Sequence, residues 1–188
     1  VRKATFSGIS DEIDIYIARA VHRLRLELDA DPIILPIAKG HRDAEVASRL
    51  IGARAVSCDT MLVSDAIQIA GECRVVLSGS YHAAVFALGQ GIPVVGIIGS
   101  DYYRQKFFGL AGQFPGGCRI VDVRSPGFEA ELGNVVGRLW KEADSLRRDL
   151  LQAAKSQIEI SRSLYQNFAC ARSSVSRSIE RSARTSAY

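Results

Sequence analysis

Aromatic side chains are scarce, at 7% of 188 residues, and no apolar run approaches the ~20 residues that a membrane-crossing helix requires. The N-terminus also lacks the charged, apolar and small-residue succession of a secretory signal, so the chain reads as soluble and intracellular. Only four cysteines occur, Cys58, Cys73, Cys118 and Cys170, and they stand far apart. No C-x-x-C pair offers a zinc knuckle or a redox couple, and the pattern suits buried small hydrophobes in a reducing compartment. The three histidines have no metal-ligand spacing, and neither H-E-x-x-H nor a carboxylate cluster occurs, so we expect no bound metal and no cofactor. An initiating Met is missing too. Val1 and Arg2 run straight into Lys3 to Ser7, which leads us to expect a further domain upstream.

What the chain does have is aliphatic bulk: 47% of it is apolar, enough for one globular domain plus an extension. The net charge of +4 is uneven, because residues 147–188 hold eight Lys or Arg against three acids. We divide the chain into a Rossmann-like ligand-binding body over 1–146, a helical extension over 147–169 and a basic Ser/Arg-rich tail over 170–188. Such a tail suits an anionic partner, nucleic acid or membrane. Almost no large apolar residue follows Asn167 except Val175 and Ile179, so the composition favours solvated disorder, and no function is placed there.

In the body, apolar residues recur at three and four from Ile13 to Leu28, an amphipathic helix that Asp31 and Pro32 close. A short apolar run, Ile33 to Ile37, reads as a buried strand ending at Pro36. The alternation then continues. Helices are expected over 43–51, 60–71, 81–90, 102–112 and from Phe128 to about Tyr165, with strands over 54–57, 74–77, 93–98 and 119–123. This order predicts an α/β fold, Rossmann-like, with a parallel sheet and helices on both faces.

Chemistry is expected where a strand hands over to a helix, in RVVLSGSYHAAVFALGQGIPVVGII (74–98). Ser78, Gly79 and Ser80 fall at the carboxyl end of a strand, where ligands of open parallel sheets bind. The following helix aims unpaired N–H groups and a positive dipole end at an anion. Gly79 allows close backbone approach, and the hydroxyls of Ser78 and Ser80 can cap the helix or donate to a phosphate. Tyr81 opens the helix. His82 can donate a proton or a charged hydrogen bond, yet an S-x-H can equally be an N-cap beside a surface imidazole. The next strand end, IIGSDYYRQKFF, brings Arg104 and Lys106, either as anion ligands or as a solvated helix face. A third loop carries Lys39, His41 and Arg42, with Asp43 also serving as an N-cap. His22 reads as a surface residue.

The run SGSYHAAVFALGQGIPVVGIIGSDYYRQKFFGLAGQF resembles the signature region of the polysaccharide pyruvyl transferase family. LPIAKGHRDAEVASRLIG and CDTMLVSDAIQIAGECRVVLSGS are similar to its preceding elements, so the resemblance covers about residues 30–125, more weakly the first helix. It implies the carboxyl-terminal half of a GT-B-like two-domain enzyme, with its cleft between the halves. It further implies transfer of a pyruvyl group from phosphoenolpyruvate to a sugar hydroxyl of a cell-surface glycan or lipid-linked precursor, as a ketal. On this reading His82 is the catalytic acid and matches the histidine of the family's Arg-x-His, while Ser80 stands at the arginine position. Lys106 falls where the family often has a lysine. Substrate binding would involve Ser78, Gly79, Ser80, Tyr81, Arg104, Lys106 and His41. The protein would be cytoplasmic, with room for peripheral association at the inner membrane face and no nucleic-acid partner. Two alternatives stay open: a nucleotide-sugar-binding half, and a non-catalytic scaffold in polysaccharide assembly.

Overall fold

A computed structural model describes residues 11–35, 52–56 and 62–185. The expected helix over 43–51 and the loop with Lys39, His41 and Arg42 lie outside the described residues, as does the end of the strand expected over 54–57. In chain order the elements are α1 (Asp11–Leu28), β1 (Ile33–Ile34), β2 (Arg54–Ala55), α2 (Val63–Glu72), β3 (Val76–Ser78), α3 (Tyr81–Gly89), β4 (Val94–Ile98), α4 (Asp101–Gln113), β5 (Cys118–Asp122) and α5 (Phe128–Thr185). Among the described residues every strand pairing is parallel: β1 with β2 in one small sheet, and β3–β4–β5 in a second. The fold is α/β and Rossmann-like, with helices on both faces of the sheet.

The central strand explains why. All five residues of β4, VVGII, are buried, so each face must be covered. Val94 and Ile98 join Ala84, Ala87 and Leu88 of α3 and Phe107 and Leu110 of α4 in one core. Val95 faces the other way, onto Ala20 and Leu24 of α1 and Leu132, Val136 and Leu139 of α5, and Ile97 meets Ile17 and Val123. Between Val94 and Ile98, Gly96 leaves a notch that the Phe107 ring fills; a Cβ at position 96 would overlap that ring. The notch sets how closely α4 approaches the sheet.

Two local results differ from the sequence expectation. The third strand begins at Val76 rather than Arg74, because Arg74 turns to α5: its Nε donates to the Trp140 carbonyl at 2.9 Å, and its guanidinium pairs with Asp144 at 2.7 Å. The last helix does not stop near Tyr165 but continues through Thr185. Neither Gly nor Pro occurs after Gly137, so no residue breaks the backbone ladder. The tail expected to be disordered is thus helical in backbone to Thr185. α1 ends as read, at Leu28, where Asp29 takes a left-handed φ of 48° and the Ala30 N–H donates to the Arg25 carbonyl at 3.1 Å.

Candidate active site

β3 and α3 meet at Ser78-Gly79-Ser80. In register Ser78 lies beside Gly96, so β3 ends below the tip of β4, where Ile98 pairs with Asp122. The turn is tied by its own side chain: Ser78 Oγ accepts the Ser80 N–H at 2.9 Å and lies 3.3 Å from the Ser80 carbonyl, to which it donates. Ser80 is the N-cap of α3, but its hydroxyl makes no capping bond, and the residue is buried at 6% exposure. Its carbonyl accepts the Ala84 N–H at 3.1 Å, closing the first turn. The Ser78 hydroxyl expected at a ligand therefore works on the turn itself. What the junction offers outward is the first-turn backbone of a helix N-terminus and the side chain of His82, which is exposed.

From His82 a chain of aromatic and cationic contacts leads to α4. The His82 ring stands edge-on to Tyr81, centroids 6.1 Å apart, and Tyr81 in turn stands edge-on to the buried Phe107 at 6.4 Å. The Lys106 ammonium lies 5.6 Å from the centroid of the Tyr81 ring and 4.6 Å from that of Tyr102. Each is a cation–π contact by distance. Hydrogen bonding with Tyr102 is the main influence that raises the Lys106 pKa, partly offset by desolvation, so the group remains an ammonium. Tyr81, His82 and Lys106, expected separately from the sequence, stand together.

Arg104 does not join them. Its guanidinium pairs with Asp122 at the end of β5, and its Nε lies 3.7 Å from Asp101. Arg124, which the sequence reading passed over, closes the same network. It contacts Asp122 through its backbone N–H at 2.9 Å and its side chain at 2.9 and 3.0 Å, and Asp101 at 2.9 Å. Asp122 is 8% exposed, and hydrogen bonding from the Arg124 side chain is the largest of the effects that hold its carboxyl below the usual range. One sequence signal pointed there, the acid that follows Ile120 and Val121 at the end of CRIVD. His41 lies outside the described residues. Among those described, no group of three or more His, Cys, Asp or Glu residues is placed to hold a metal. The buried thiol of Cys118 is pushed up to about 12 by desolvation, and that of Cys73 is raised for the same reason, which makes both poor nucleophiles. A cavity of about 220 Å³ lies at the opposite edge of the sheet, between Arg74, Gly91, Pro93 and Arg147, away from His82.

The model of the polysaccharide pyruvyl transferase family matches residues 4–101, just over half of the chain. The chain belongs to that family. The match runs from before α1 to the first residue of α4 and so takes in the whole Ser78–His82 junction; Arg104, Lys106, Asp122 and Arg124 lie beyond it. Membership of a pyruvyl transferase family implies a donor and a sugar acceptor. No curated protein matches the chain.

Proposed function

We propose that this chain carries the donor-side wall of a pyruvyl transferase that moves the pyruvyl group of phosphoenolpyruvate onto a sugar hydroxyl in cell-surface polysaccharide biosynthesis. The observation that carries the reading is an exposed imidazole at the first turn of α3, on the carboxyl edge of a parallel sheet, linked through Tyr81 to a lysine ammonium. An anionic donor suits both the helix end and the ammonium. His82 as general acid delivers a proton to the methylene carbon of the enol phosphate, and positive charge develops at the adjoining carbon. A sugar hydroxyl oxygen bonds to that carbon and gives up its proton. The carbon–oxygen bond to phosphate breaks, inorganic phosphate departs with the bonding pair, and a second hydroxyl adds to the oxocarbenium carbon left behind and loses its proton, closing the ketal.

The roles of the sequence candidates narrow on this reading. Backbone N–H groups at the α3 N-terminus, reached over Gly79, hold the phosphate or carboxylate together with Lys106, while Ser78 and Ser80 shape the turn. Tyr81 positions both His82 and Lys106. Arg104 is committed to Asp122, so it does not replace the guanidinium absent at Ser80. His41 remains a candidate for the same crevice. The acceptor is a glycan or lipid-linked sugar brought by a second, upstream half, and the reaction is cytoplasmic. The test is phosphate release from phosphoenolpyruvate by the full-length protein with candidate acceptors. His82→Ala is expected to lower kcat by about 10²–10⁴-fold with unchanged thermal stability. Wild-type rates in that variant would remove His82 from the mechanism. Thermal stabilisation by uridine diphosphate but not by phosphoenolpyruvate would favour the nucleotide-sugar reading, and stabilisation by neither would favour the scaffold.

A further inference from the structure

The face of α5 that seals the core carries Leu132, Val136, Leu139, Ala143 and Leu150, all buried. Leu164 and Phe168 continue that face, since each lies about five full turns beyond a residue packed in the body, Leu146 and Leu150 respectively. They are 64% and 70% exposed, and Ile158, Ile160 and Tyr165 beside them are 58%, 53% and 78% exposed. From Ile158 to Phe168 every residue is exposed. An apolar stripe built for burial therefore runs off the end of the body along a helix that continues. Isolated surface leucines are ordinary; Ile160, Leu164 and Phe168, at i, i+4 and i+8 on one face with Tyr165 at its border, are not.

Charge decides between possible occupants. Residues 147–188 hold eight Lys or Arg and three acids. A second copy of the helix would bring two net-positive segments together, at a repulsive cost. Nucleic acid would use the cations but leave the aliphatic stripe in water. An anionic bilayer surface satisfies both: the stripe buries at the acyl boundary while Lys155 and Arg162, on the opposite side of the helix with Glu159, keep their charged heads toward lipid phosphates and water. Tyr165 has the amphipathic ring that sits at headgroup depth. No helix among the described residues is long and apolar enough to cross a membrane, so contact would be in the plane of the surface.

We propose that α5 from Ile158 onward docks on an anionic lipid surface, apolar stripe inward, independently of which donor the catalytic edge binds. The test is co-sedimentation of the full chain with vesicles of equal parts phosphatidylglycerol and phosphatidylcholine, against vesicles of phosphatidylcholine alone. Binding to the anionic vesicles is expected to be at least about tenfold tighter and to weaken as salt screens the charges. Leu164→Glu with Phe168→Glu should lose about tenfold or more, and Lys155→Glu with Arg162→Glu several-fold, both without a shift in Tm because the sites are exposed. The proposal is overturned if the wild type binds neither vesicle, binds both equally, or binds undiminished in the Leu164 and Phe168 variant. It is equally overturned if sedimentation velocity shows a dimer that this variant abolishes while vesicles fail to compete.

Discussion

Lys106 and Arg104 leave the same helix two residues apart and end in unlike settings. Lys106 is an exposed ammonium resting on Tyr81 and Tyr102. Arg104 is locked with Arg124 onto one buried carboxylate, Asp122. The difference separates charge that is spent from charge that can be used. A cation whose hydrogen bonds are already taken by an acid contributes to holding β5 against α4, whereas an ammonium resting on aromatic faces and bonded only to Tyr102 has donors left over. Sequence alone gives both the same standing, as basic residues after a strand end.

The change expected to break both settings at once is Phe107→Ala. Its ring is fully buried in the Gly96 notch and touches Tyr81, so its loss should cost about 3–5 kcal/mol in chemical denaturation and loosen His82 and Lys106 together. Asp122→Asn tests the spent side alone. It should cost about 1–3 kcal/mol, the loss being limited because both arginines are partly solvated. The pH dependence has a definite sign. A carboxyl whose folded pKa is depressed contributes its stability above the unfolded value, near 4, and loses it as pH falls through the folded value. The wild type should therefore lose stability on acidification below about pH 4 more steeply than Asp122→Asn. Lys106→Ala tests the usable side: an unchanged Tm with KM for phosphoenolpyruvate raised about tenfold is expected, the scale of one charge-assisted contact. An equal fall in Tm for this variant would dissolve the comparison. Smallest of all, alkylation of Cys118 by iodoacetamide at neutral pH should be negligible in the folded protein and appear on unfolding, because desolvation keeps its thiol protonated.

The alternation of strands and helices, and with it the parallel sheet, was readable because each element carries its own signal: continuous apolar runs such as VVGII and three-four spacing such as that of α1. The Ser78–His82 junction was readable for the same reason, since strand, turn and helix are contiguous. What could not be read depends on partners distant in sequence. Arg104 looks available until the register of Ile98 with Asp122 carries an acid from the end of β5 to its side. Ser78 looks like a ligand until its hydroxyl is seen to close its own turn. The length of α5 is not legible from hydrophobicity, which falls after Asn167, because an uninterrupted backbone without Gly or Pro carries the helix on.

The Gly96 notch has a consequence for direction as well as for distance. A flat ring seated at Gly96 between Val94 and Ile98 can enter from only one bearing, so it acts as a key that indexes the rotational phase of α4 about its own axis. One neighbour of the key, Lys106, is thereby turned toward Tyr81, and Arg104, three positions before Phe107, toward Asp122. Filling the keyway at 96 or trimming the key at 107 would rotate the helix rather than merely shift it, and the two cations would exchange neither partner for a better one. Side-chain volumes at 96 and 107 are in this sense a single inherited quantity, and Gly96→Ala should be better tolerated with Phe107→Leu than without it.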